Sequence, residues 1–87
     1  MDTKNGVGQL EEVGEALHLA KSGRLIVRSR GPIQPGSILV DAKGRKVARV
    51  IEYFGPVESP YISAQPVTDR VKRVIGGRIY LRKRVRS

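Results

Sequence analysis

Cysteine and tryptophan are absent from this 87-residue chain, and histidine occurs once. Without cysteine, neither a disulfide framework nor a thiolate metal site can form. With His18 as the lone imidazole, a zinc site also lacks its ligands. Long apolar stretches are missing too. No run approaches the roughly 20 residues of a membrane span, and the opening MDTKNGVGQLEEV is acidic and glycine-containing, unlike a signal peptide. The expectation is an intracellular, soluble, cysteine-free protein.

The chemistry of catalysis is sparse. A nucleophilic triad needs a base beside a serine. Ser22, Ser29, Ser37, Ser59 and Ser63 fall in turn-like or strand contexts with no motif linking them to His18, which reads as a surface or rim histidine. Asp41, Glu52, Glu58 and Asp69 show no acid–base spacing. Neither G-x-x-x-x-G-K-[ST] nor G-x-G-x-x-G occurs. The expected class is a non-enzyme without cofactor or metal.

What the chain has is positive charge: 17 Lys and Arg against 8 Asp and Glu, a formal +9. The excess is lopsided. Residues 1–20 hold Lys4 against Asp2, Glu11, Glu12 and Glu15, whereas residues 21–87 are strongly basic and end in Arg78, Arg82, Lys83, Arg84 and Arg86. A one-signed excess points to a polyanionic neighbourhood, meaning nucleic acid or its assemblies.

The remaining signal is strand-like. QLEEVGEAL places Leu10, Val13 and Leu17 at helical spacing, but Gly14 weakens that helix and the following residues alternate. RLIVRSR (24–30), SILVD (37–41), KVARVIEYF (46–54), YISAQPV (61–67) and RIYLRKR (78–84) are β-branched or aromatic runs, bounded by Gly, Pro, Ser and Asp. The turn around Gly23, the GPIQPG bend at 31–36, the DAKGR hairpin at 41–45 and Gly76-Gly77 punctuate them. About six short strands without a long helix imply an all-β fold, a small six-stranded closed β-barrel with extended termini. Closure also removes the open edges that a strand-rich chain would expose. The chain divides into an N-terminal segment (1–12), a barrel core (13–82) and a basic tail (83–87), which makes one domain.

FGPVESPY (54–61) stands apart from this basic background. Pro56 and Pro60 fix φ and remove two backbone donors, and each pushes its predecessor away from helical backbone. A stiff loop loses little entropy on binding. Phe54, Val57, Tyr61 and Ile62 would then offer apolar anchors of the kind found at protein–protein hot spots. The competing reading is that Phe54 and Tyr61 turn inward and plug one end of the barrel. Three of the four aromatics crowd here beside Glu52 and Glu58 rather than beside arginines, which argues against a base-stacking platform.

Val47-Ala48-Arg49-Val50 running into Phe54-Gly55-Pro56-Val57, then Pro60-Tyr61, resembles the core of the GAR subunit of H/ACA ribonucleoproteins. Gln34-Pro35-Gly36, Val40-Asp41 and the Lys43-Gly44-Arg45 turn are similar to that family's entry into the strand. Gly77-Arg78-Ile79-Tyr80-Leu81 is similar to its closing strand. The likeness covers residues 15–82. The glycine–arginine-rich tails of eukaryotic members are missing, as in a short archaeal form. A related eukaryotic assembly factor shares the same core.

The resemblance implies a non-catalytic subunit that docks on the catalytic domain of a dyskerin-type pseudouridine synthase. It would promote loading and release of substrate RNA during rRNA pseudouridylation. It would meet the guide RNA, the kink-turn-binding protein and the Nop-type subunit only indirectly, and no membrane. Its place would be the archaeal cytoplasm, or the nucleolus in a eukaryote. The docking set would be Phe54, Gly55, Pro56, Val57, Pro60, Tyr61 and Ile62. Arg78, Arg82, Lys83, Arg84 and Arg86 would supply electrostatics near RNA. The alternative is a free-standing RNA-binding barrel of ribosome maturation or translation.

Overall fold

Six strands pair in the closed order β1-β2-β5-β4-β3-β6 in a computed structural model that describes residues 10–82. They are β1 (Leu10–Leu19), β2 (Leu25–Ser29), β3 (Ile38–Val40), β4 (Lys46–Phe54), β5 (Tyr61–Pro66) and β6 (Arg78–Arg82), with a single helical turn, α1 (Val71–Val74), before β6. Every neighbouring pair is antiparallel. Connections therefore leave the barrel alternately at its two ends. The β1–β2, β3–β4 and β5–β6 connections share one end, and β2–β3 and β4–β5 share the other.

The core follows from period-two alternation on curved strands. Leu25, Val27, Leu39, Ile62 and Ile79 are fully buried, and Ala16, Ala48 and Ala64 fill the places between them. Mixing small and large residues is what the interior of a narrow barrel requires. Full burial of each large side chain contributes about 1.5–3 kcal/mol. Each end is stoppered by an apolar residue from a connection. Ile33 of the β2–β3 bend closes one end and Val71 of α1 the other, and both pack into the same core cluster.

β1 corrects one expectation. It starts at Leu10, so residues 10–12 belong to the barrel wall and not to an N-terminal segment; Leu10, Glu11 and Glu12 pair with Arg82, Leu81 and Tyr80. QLEEVGEAL, whose helical spacing Gly14 weakens, is strand from Leu10 onward. Bulges at Glu12/Gly14 against β6 and at Ala16/His18 against β2 each insert one residue. Insertions of this kind shift the inward face by one position, so buried Val13 and Ala16 fall three apart and imitate a helical spacing. At Gly14, β1 and β2 approach too closely for a side chain. A Cβ there would lie 2.1 Å from the Arg28 carbonyl oxygen.

The β3–β4 turn is tied by Asp41, whose carboxylate accepts from the Lys43 and Arg45 amides at 2.9 Å each and from Arg45 Nε at 3.1 Å. Burial pushes this carboxyl up, but the two amides and the Arg45 guanidinium outweigh it and hold its pKa below the ordinary value. Such bonds to the charged form favour ionisation. Arg82 reaches across to donate to the Gly44 carbonyl.

Candidate functional site

The β4–β5 loop is braced at its second half and open at its first. Ser29, at the end of β2, is 2% exposed and carries the brace. Its amide donates to the Pro60 carbonyl at 2.8 Å, and its own carbonyl accepts from Ser59 Oγ at 3.2 Å. Its hydroxyl also bonds within the next bend, at Gly31. Gly55 turns the chain out of β4 with φ of +96°, and a Cβ there would press on the Tyr61 ring at 3.2 Å. That combination calls for glycine.

The sequence-derived docking set splits accordingly. Gly55, Pro56 and Val57 are exposed, and Phe54 is half-exposed at 47%. Pro60 and Ile62 are buried and offer no surface to a partner. Ile62 lies on the inward phase of β5, opposite Val27, and Pro60 is fixed by its bond to Ser29; both hold the loop in place. The inward-plug reading of the aromatics also fails. Ile33 closes this end, while Phe54 and Tyr61 stack on the outside with centroids 5.7 Å apart.

Tyr53 is equally exposed at 47%, so Tyr53, Phe54 and Val57 are all exposed at this end of the barrel, Tyr53 and Phe54 on opposite faces of β4 as adjacent strand residues. Sequence reading left Tyr53 out of the docking set. Strict alternation from Val50 already turns it outward; the bulge at Val50/Glu52 sets it opposite Ile62, and it stays exposed.

The register draws one row of outward side chains across five strands. Phe54 pairs with Tyr61, Tyr61 with Arg28, Arg28 with Glu15, and Glu15 with Arg78. The Arg28 guanidinium lies over the Tyr61 ring, 5.8 Å from its centroid, and donates to its hydroxyl at 3.3 Å. An arginine does therefore sit beside the loop aromatics, contrary to the sequence expectation. It comes from β2, 33 residues away.

Beside this row opens a cleft of about 430 Å³ lined by Glu12, Glu15, Arg28, Arg30, Glu58 and Arg78. Its charges answer one another. Glu12 binds Arg30 at 2.7 Å and Arg78 at 2.5 Å. The Tyr61 hydroxyl raises the pKa of Arg28 above its ordinary value, and Glu12 does the same for Arg78, so both stay cationic.

Of the electrostatic set, Arg78 is thus engaged with Glu12 and Arg82 with the Gly44 carbonyl. Lys83, Arg84 and Arg86 lie outside the described residues. His18 is exposed on β1. Among the described residues no group of three or more His, Cys, Asp or Glu could hold a metal ion. No helix among them is long and apolar enough to cross a membrane.

No family model matches the chain. It is 34% identical over 68 residues to an uncharacterized protein of Methanocaldococcus jannaschii, a match spanning 78% of this chain and 80% of that protein. It is 33% identical over 57 residues to an uncharacterized protein of Methanothermobacter thermautotrophicus, spanning 66% of this chain and 62% of that protein's length. The chain belongs to the same family as the Methanocaldococcus protein.

Proposed function

We propose that this member of an archaeal protein family is a non-catalytic subunit of an H/ACA guide-RNA-dependent pseudouridine synthase particle. It docks through its β4–β5 loop on the catalytic domain of a dyskerin-type synthase and promotes loading and release of substrate RNA. The observation that carries this reading is the exposure of Phe54 and Val57, with Tyr53 also exposed at the end of β4, around a loop fixed by Ser29, Pro60 and Gly55. Aromatic anchors on a stiff backbone, ringed by polar groups, are what a protein interface needs. The barrel agrees with the fold that the likeness to GAR subunits implies, and the similar proteins are archaeal.

Local charge favours a protein over RNA as the partner of this end. Glu12, Glu15 and Glu58 offset Arg28, Arg30 and Arg78 around the cleft. Phosphate gains nothing from a neutral surface, whereas a protein rim of mixed charge suits it. Val57 is 81% exposed, so Val57→Asp leaves strand circular dichroism and melting unchanged. It weakens synthase binding by about 2 kcal/mol, roughly thirtyfold. A titration with purified synthase measures this; full affinity in the variant would remove the loop from the interface.

A further inference from the structure

The end of the barrel remote from the docking loop has no part in the reading above, and its chemistry is different. Its three connections, residues 20–24, 41–45 and 67–77, carry seven Lys and Arg against Asp41 and Asp69. The two connections at the loop end, residues 30–37 and 55–60, carry Arg30 against Glu58. Pairing sharpens the contrast. Among the described residues the ion pairs are Arg30 and Arg78 with Glu12, and Arg45 with Asp41. Lys21, Arg24, Arg70, Lys72 and Arg73 are in none of them.

α1 presents these cations rather than merely carrying them. Val71 is buried as the stopper of this end, at 5% exposure, which fixes the turn against the core. Lys72 and Arg73, the next two residues, are then exposed. Backbone bonds between Ala16 and the Gly76-Gly77 pair, at 2.8 and 2.9 Å, clamp the far side of the turn to β1. The Arg70 Nε–H is buried without an acceptor among the described residues.

We propose that this end, centred on Lys72 and Arg73 with Arg70, Lys21 and Arg24 around them, binds the phosphate backbone of RNA without reading its bases. Charge complementarity selects the ligand. Cations that have no carboxylate partner among the described residues gain most from a regularly spaced polyanion, through release of its condensed counterions. Three of the four aromatics, Tyr53, Phe54 and Tyr61, sit at the opposite end, and Tyr80 is half-buried in β6, so contacts here position without specifying sequence. The choice of RNA over other polyanions rests on the proposed particle. The protein would thus bridge, holding the synthase at one end and an RNA backbone at the other.

The test uses the full chain, a labelled RNA hairpin and fluorescence anisotropy at about 50 and about 200 mM salt. Lys72→Gln with Arg73→Gln weakens hairpin binding on the order of tenfold at low salt and lowers the salt slope by about two. Lys72→Arg with Arg73→Lys restores both. Val57→Asp leaves hairpin binding unchanged. Unaltered affinity and slope in the double Gln variant would overturn the proposal, as would loss confined to Val57→Asp. Displacement by polyglutamate as effective as by unlabelled RNA at equal charge would also overturn the RNA assignment. Synthase co-elution of the same variants separates this claim from the docking one. If it fails while the double Gln variant still loses RNA, docking alone is wrong.

Discussion

The two ends of this barrel are stoppered alike and finished differently. Each is closed by one aliphatic side chain from a connection, Ile33 or Val71. Beyond the stopper, one end shows exposed Tyr53, Phe54 and Val57 amid charges that cancel, and the other shows Lys72 and Arg73 amid charges that do not. A narrow core fixes the stopper, because an open end would wet the interior. It leaves the outer finish free, and that is where the ends diverge. A net charge of +9 quoted for the chain hides this polarity.

Three substitutions probe the comparison, in falling order of effect. Gly14→Val strikes the wall that joins the ends. Its Cβ would meet the Arg28 carbonyl at 2.1 Å, so β1 and β2 must part. The expected loss is about 3 kcal/mol of stability, with both synthase and RNA binding falling together. Urea denaturation measures it, and a variant as stable as the parent would mean that β1 can shift without cost.

Asp41→Asn acts at the basic end alone and should cost about 1 kcal/mol, because charge-assisted bonds become neutral ones. Its pH dependence is the sharper readout. The Asp41 pKa is lowered in the folded chain, so the unfolded chain binds the proton more readily. The carboxylate's contribution is therefore fully present above the ordinary value near 3.9 and lost as pH falls through the folded pKa. The gap between parent and Asn variant should be constant at neutral pH and close below about pH 4. A gap that persists in acid would show that the charge is not what ties the turn.

Tyr61→Phe is the mildest. It removes the hydroxyl that accepts from Arg28 but keeps the ring stacked on Phe54. Because the pair is exposed, the urea midpoint should not move. Synthase binding should fall only slightly, since exposed Tyr53, Phe54 and Val57 are untouched. A large loss would make the Arg28–Tyr61 contact, rather than Val57, the centre of the interface.

Much of the wall was legible in the sequence. KVARVIEYF matches β4 at residues 46–54, and the other four runs read as strands contain β2, β3, β5 and β6. β1 was obscured because its two bulges break the alternation that identifies a strand. α1 was missed because one helical turn has no period to detect. At the site, the prolines and aromatics announced a stiff apolar loop. Which of them faced out depended on Ser29 and Ile33, whose roles are set by tertiary contacts. The Arg28–Tyr61 contact joins strands 33 residues apart, and nothing local signals it. The charge polarity required the strand order, since only antiparallel closure sends residues 20–24, 41–45 and 67–77 to a common end.

The central claim, an apolar docking end, is tested most directly by size-exclusion co-elution with a dyskerin-type synthase, without RNA, in salt high enough to screen surface charge. The account predicts one stable complex for the parent protein and separate peaks for Val57→Asp. Separate peaks for the parent in high salt, with co-elution only when RNA is added at low salt, would contradict it and leave charge as the sole basis of assembly.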